Sequence, residues 1–121
     1  MGKFVIRTLP TGVKFDLKAA NGEIIATSEL YDALPGCISG VESLRKNAPT
    51  AHLEDQTAPG GTVPNPKFQL YRDKRGDFRF RLRARNGKII AVSQPYATPA
   101  ACLGGIESVR ENAPSEEIEQ Q

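Results

Sequence analysis

The chain of 121 residues has no tryptophan, one histidine, one methionine and two cysteines. With so little sulfur and imidazole, and no C-x-x-C pair, the usual zinc spacings and any disulfide framework are left out. Glycine-rich phosphate loops, paired-carboxylate motifs and a Ser-His-Asp arrangement are also missing, so local motifs name no enzyme class and no cofactor. No run of 18 apolar residues occurs, and the opening MGKFVIRTLP lacks the apolar stretch of a signal peptide. The expectation is a cytoplasmic protein that is not an enzyme and makes no use of a membrane.

What is present is ordinary in amount and uneven in placement. Apolar residues at 39% and charged residues at 25% are globular values, and the length predicts one domain or two very small ones leaning on each other. The net charge of +2 hides a local field. Residues 67–94 hold 9 basic and 2 acidic side chains, and residues 95–121 hold 1 and 5.

The chain also repeats itself. A shift of 65 lays residues 15–49 on residues 80–114 with 18 of 35 positions identical, including Asn21-Gly22 on Asn86-Gly87, Tyr31 on Tyr96 and Cys37 on Cys102. Agreement that extends to polar positions is duplication. Upstream the shift is 64, placing Lys3-Phe4 on Lys67-Phe68. The second copy therefore gained one residue after Gly76, in a turn, where no strand is flipped.

Each copy reads alike. A short strand (residues 4–7 and 68–71) leads through a glycine turn to a second. There Phe78, Phe80, Leu82 and Ala84 alternate with Arg79, Arg81, Arg83 and Arg85, the period of a half-buried strand. Asn86-Gly87 predicts a two-residue type I′ hairpin with positive φ at both positions, followed by a strand over residues 88–93. That register sets Leu82 opposite Ala91 and Phe80 opposite Ser93 on the core face, and Arg83 opposite Ile90 and Arg81 opposite Val92 on the other.

Residues 99–113 carry Cys102, Ile106, Val109 and Ala113 at helical spacing. Thr98 suits the N-cap, Pro99 the first turn, Asn112 a left-handed C-terminal cap, and Pro114 a stop. The first copy repeats the stripe with Cys37, Val41, Leu44 and Ala48, its helix preceded by Asp32 or Leu34. Gly40 and Gly105 each cost about 1 kcal/mol inside a helix, which predicts a close approach of helix backbone to sheet.

A unit of about 50 residues buries too little to outweigh about 1 to 2 kcal/mol of backbone entropy per residue, so the copies are expected to share a core. The organisation read from the sequence is repeat 1 over residues 2–55, a Pro/Gly-rich linker QTAPGGTVPNP over residues 56–66, and repeat 2 over residues 67–120. Residues 50–55 and 115–120 each have the look of a short terminal strand.

The pattern F-R-F-R-L-x-A-x-N-G-x-I-I-A-x-S, then a Tyr, then C-x-x-G-I-E-S-V-x-x-N-A-P, resembles the YegP-like family of small prokaryotic proteins. The second copy matches it from Phe78 onward; the first departs upstream, with Val13 and Asp16 where the second has Phe78 and Arg81. The resemblance implies an α+β fold of two tandem β-β-β-α-β repeats in one antiparallel sheet of about eight strands. Two helices lie on one face, and the terminal strands are exchanged between repeats. It brings no agreed activity and no catalytic residues.

Function is left to the residues. The leading expectation is a non-catalytic binding or interaction module, a monomer with internal pseudo-twofold symmetry, whose partner is a protein or a nucleic acid. The alternative is anion or nucleic-acid binding through a basic sheet face formed by Arg79, Arg81, Arg83 and Arg85 with Lys88, tracking phosphates in a salt-dependent way. The first copy offers Lys14, Asp16, Lys18 and Glu23 there, a mixed face. Cys37 and Cys102 read as small core hydrophobes and His52 as a solvated strand residue. Ser28, Ser93, Tyr31 and Tyr96 read as hydrogen-bonded structural groups. The pairs Glu42/Arg45 and Glu107/Arg110, three apart on a helix, can also hold a swapped strand.

Overall fold

A computed structural model describes all 121 residues. The elements run β1 (Lys3–Leu9), β2 (Gly12–Lys18), β3 (Ile24–Ser28), α1 (Leu34–Asn47), a 3-10 turn (Ala48–Thr50), β4 (His52–Asp55), β5 (Lys67–Arg72), β6 (Phe78–Arg83), β7 (Ile89–Val92), α2 (Pro99–Asn112) and β8 (Ile118–Gln120). All eight strands form one sheet in the order β4-β5-β6-β7-β3-β2-β1-β8. The repeats join at its centre, where β3 and β7 run antiparallel, and each sends its last strand to the far edge of the other.

The fold is α+β as expected, with one correction: the sheet is mixed. The exchanged strands lie parallel to their neighbours, β4 on β5 and β8 on β1. Neither pair is joined by a tight hairpin, since residues 56–66 separate β4 from β5 and β8 and β1 are the last and first strands, so nothing forces them antiparallel.

The hairpin expectation is corrected too. Gly22 and Gly87 have φ of +86° and +84°, and no residue other than glycine has positive φ, so Asn86 cannot be in a type I′ turn. Gly87 N–H donates to Ala84 O at 2.9 Å and Ala84 N–H to Lys88 O at 2.9 Å, closing a three-residue loop with glycine in the left-handed position. Asn86 instead accepts from Lys88 N–H at 3.0 Å. The longer loop shifts the register: Leu82 still faces Ala91, but Arg83 faces Ile89. Ile90 becomes the surplus residue of a bulge and joins the core, and Ile25 does the same in the first copy.

The core lies between the helices and one face of the sheet. Phe4, Phe15, Phe68 and Phe80 are fully buried, with Phe4 on Phe15 and Phe68 on Phe80 edge to face at 5.9 and 5.8 Å, an arrangement worth about 0.5 to 1.5 kcal/mol beyond burial. Both helices touch strands of both repeats: α1 lies on β2 and β7, α2 on β6, β5 and β3. Neither repeat closes a core alone.

The helix ends differ in detail from the sequence reading. Thr98 caps α2, its hydroxyl accepting from Ala101 N–H at 3.1 Å, whereas Ala33 caps α1 without a side-chain bond. Asn112 is not a left-handed cap: the residue after it, Ala113, is still right-handed. Its side chain donates to Ser108 O at 2.8 Å and accepts from Gly2 N–H at 2.7 Å, tying the helix end to the start of β1.

Candidate basic sheet face

The face of the sheet away from the helices is open, and its residues are fixed by strand register. One line crosses all eight strands: Glu54, Gln69, Arg81, Val92, Thr27, Asp16, Val5, Glu119, each opposite the next. The pseudo-twofold pairs Arg81 with Asp16, so the two repeats present opposite charges at equivalent places.

On the second repeat Arg79, Arg81 and Arg83 stand half-buried on β6, and each is anchored. Arg79 Nε and Nη2 donate to Ser93 O at 3.2 and 2.8 Å. Arg81 Nε and Arg83 Nε share Gln69 Oε1, at 2.7 and 2.6 Å. Arg83 Nη1 also reaches Gly87 O at 2.8 Å, and Arg81 stacks 4.4 Å over the Tyr71 ring. Arg85 leaves the row, because the strand ends at Arg83; it sits exposed in the hairpin loop, near Ser39 and Lys46 of α1. Lys88 is exposed at the other side of that loop.

Gln69 is itself held by a buried carboxylate. Its Nε2 donates to Glu54 Oε1 at 2.8 Å, while Lys67 Nζ lies 2.7 Å from Glu54 Oε2 and Val63 N–H of the linker donates to the same oxygen at 3.1 Å. The Lys67 ammonium first, then Gln69, hold the Glu54 carboxyl down at about 2, against the opposing effect of burial.

On the first repeat Asp16 does not present its charge outward. It is 2% exposed, paired with Arg7 Nε at 2.8 Å, and accepts from Thr27 Oγ1 at 2.9 Å. With Asp16 covered and paired, the charges left of those expected there are Lys14, Lys18 and the exposed Glu23, a mixed set with a cationic excess. Across the face Lys3, Arg7 and Lys67 are paired with Glu119, Asp16 and Glu54, which leaves Lys14, Lys18, Arg79, Arg81 and Arg83 against the exposed Glu23.

Of the remaining candidates, the two serines are hydrogen-bonded as expected, while the two tyrosine hydroxyls make no hydrogen bond within the protein. Ser28 Oγ and Ser93 Oγ accept from Phe15 and Phe80 N–H, each at 2.9 Å. Tyr31 and Tyr96 lie against the helix glycines: a Cβ on Gly40 would sit 2.2 Å from Tyr31 Oη, and one on Gly105 2.3 Å from Tyr96 Oη. The approach predicted for these glycines is thus made by a tyrosine ring, with Phe15 and Phe80 of the sheet next at 3.1 Å. Burial pushes both tyrosines and Cys37 up, and Cys102 up to about 11. His52 is exposed on β4. No helix is long and apolar enough to cross a membrane.

The helix arginines hold the exchanged ends. Arg45 of the first repeat pairs with Glu42 and donates to Ser115 O of the second at 3.1 and 2.8 Å; Arg110 donates to Ala48 O of the first at 3.2 Å. The Glu54–Lys67 cluster is the group that sequence reading missed. Its signal was there: Glu54 repeats as Glu119 and Lys67 as Lys3, at the two shifts that relate the copies.

These features define a class: two-repeat α+β proteins in which the repeats exchange terminal strands across a single sheet. Within it the chain belongs to the family described as a domain of unknown function, DUF1508, whose model matches twice, over residues 12–55 and 73–120. A UPF0339 protein from Stutzerimonas stutzeri is 39% identical over 87% of this chain and 82% of its own length. A UPF0339 protein of Methanosarcina acetivorans is 60% identical, with 90% of its own length matching only 43% of this chain, so it carries a single repeat. The solution structure of yegP from E. coli, a protein of unknown function, superposes with a TM-score of 0.82 at 32% identity, covering 99% of this chain and 92% of that one.

Proposed function

We propose that the protein is a non-catalytic binding module that presents its open sheet face to an anionic partner, with Arg79, Arg81 and Arg83 at the centre; Arg85 and Lys88, in the hairpin loop beside α1, lie off that face. One observation carries this reading: the three strand guanidinium groups are fixed through Nε to Ser93 O and Gln69 Oε1, and each keeps one Nη free of any protein partner. A fixed fork with donors left over loses less entropy on binding a carboxylate or phosphate than a mobile one. The pairing of Asp16 with Arg7 favours the same reading, since it leaves Lys14 and Lys18 on the first repeat without that carboxylate as a competitor.

Fluorescence anisotropy with labelled RNA and DNA at low salt tests the proposal. Binding should fall steeply with salt, and Arg81→Ala with Arg83→Ala should weaken it for all sequences and reduce the salt slope by about 2. Binding unchanged by the double variant overturns it. A partner captured with undiminished affinity at high salt would instead mark a protein-interaction surface of another kind.

A further inference from the structure

A hollow in the surface lies where the repeats meet, at the end of the arginine row, and Arg83 lines it. It encloses about 570 Å³, within the range of about 300 to 1,000 Å³ typical of small-molecule sites. Tyr31 and Ser43 of the first repeat form one side, and Arg83, Lys88, Ile89 and Ile90 of the second form the other. The register shift at the bulge turns Ile90 toward the helices, which gives the hollow its apolar floor. Ser43 Oγ accepts from Asn47 Nδ2 at 3.2 Å, so its own proton is left for an incoming acceptor.

Pseudo-symmetry supplies the comparison that makes this groove specific. At the equivalent position in the other half, Lys88 is replaced by Glu23. Duplication has left the two halves with opposite charge at this position. Glu29 at the cationic groove is outnumbered by Arg83 and Lys88.

We infer that the groove between α1 and the β6–β7 hairpin binds a small amphipathic carboxylate. Its apolar body lies on Ile89 and Ile90 and its charge meets Lys88 and the Ser43 hydroxyl. The site needs residues from both repeats, so it exists only in the assembled pair.

Octanoate is the probe, titrated into the full chain and followed by amide chemical shifts. Shifts should concentrate at residues 29–31, 43 and 83–90 and saturate as one site. Acetate, which lacks the tail, and octylammonium, which reverses the charge, should leave these residues unmoved. Lys88→Glu, which copies the charge of Glu23 at an exposed position, should weaken octanoate by about tenfold or more while the rest of the spectrum stays folded. The inference is overturned if octanoate shifts nothing, if it shifts both halves alike, or if Lys88→Glu binds it as well as the parent does.

Discussion

Lys67 Nζ sits 2.7 Å from Glu54 Oε2, with both side chains about nine-tenths buried, and this joins the last strand of the first repeat to the first strand of the second. Its counterpart, Lys3 with Glu119 at 2.8 Å, joins the other two ends but stays 34% and 42% exposed. The difference is the linker: Val63 N–H reaches back over Glu54, and no segment does the same for Glu119. Breaking a buried pair leaves a charge without a partner. Lys67→Ala should therefore cost about 3 kcal/mol in urea unfolding, whereas Lys3→Ala should change stability little and lose even that in high salt.

The same carboxylate gives a pH signature. Its folded pKa is depressed to about 2 from the ordinary 4.5, so the stability it contributes is complete above pH 4.5 and is lost as pH falls toward 2. Thermal unfolding of the parent should weaken across that window, and Glu54→Gln should flatten the decline while starting from a lower stability at neutral pH.

Neighbouring glycines in α2 should respond with opposite signs. A Cβ on Gly104 meets open space, while one on Gly105 would strike Tyr96 Oη at 2.3 Å. Gly104→Ala should stabilise by up to about 1 kcal/mol through helix propensity. Gly105→Ala should destabilise, because overpacking costs about 1 to 3 kcal/mol and outweighs that gain. Melting temperatures of the two variants decide it.

The thiols should be silent in the folded protein. Cys37 and Cys102 are fully buried and both are pushed upward, Cys102 to about 11, so thiolate is scarce at neutral pH. A colorimetric disulfide reagent at pH 8 should react with neither cysteine until denaturant is added, and then with both.

Much of this architecture was legible because the chain states it twice. The strand alternation, the helix stripe, the glycines at 40 and 105 and the stop at Pro114 recur in both copies, and recurrence separates signal from accident. Three things were not legible. Hairpin type depends on whether Asn86 adopts positive φ, which the dipeptide Asn-Gly does not settle, and one residue of loop moved Ile90 from the arginine face into the core. The parallel arrival of β4 and β8 depends on how the connections between elements run, which no local pattern records. At the candidate face, Arg79, Arg81 and Arg83 could be read from period two, but the covering of Asp16 by Arg7 and Thr27 could not, because those partners come from two other strands. The face thus looked mixed in one dimension and in three keeps a cationic excess, because Asp16 is paired.

The central claim is that each repeat is incomplete until the other lends it a strand and a helix face. Expressing residues 1–56 alone and following cooperative unfolding together with molecular mass tests it most directly. The prediction is a chain that is unfolded when monomeric and gains order only by pairing with a second copy. A well-ordered monomer that unfolds cooperatively would contradict it.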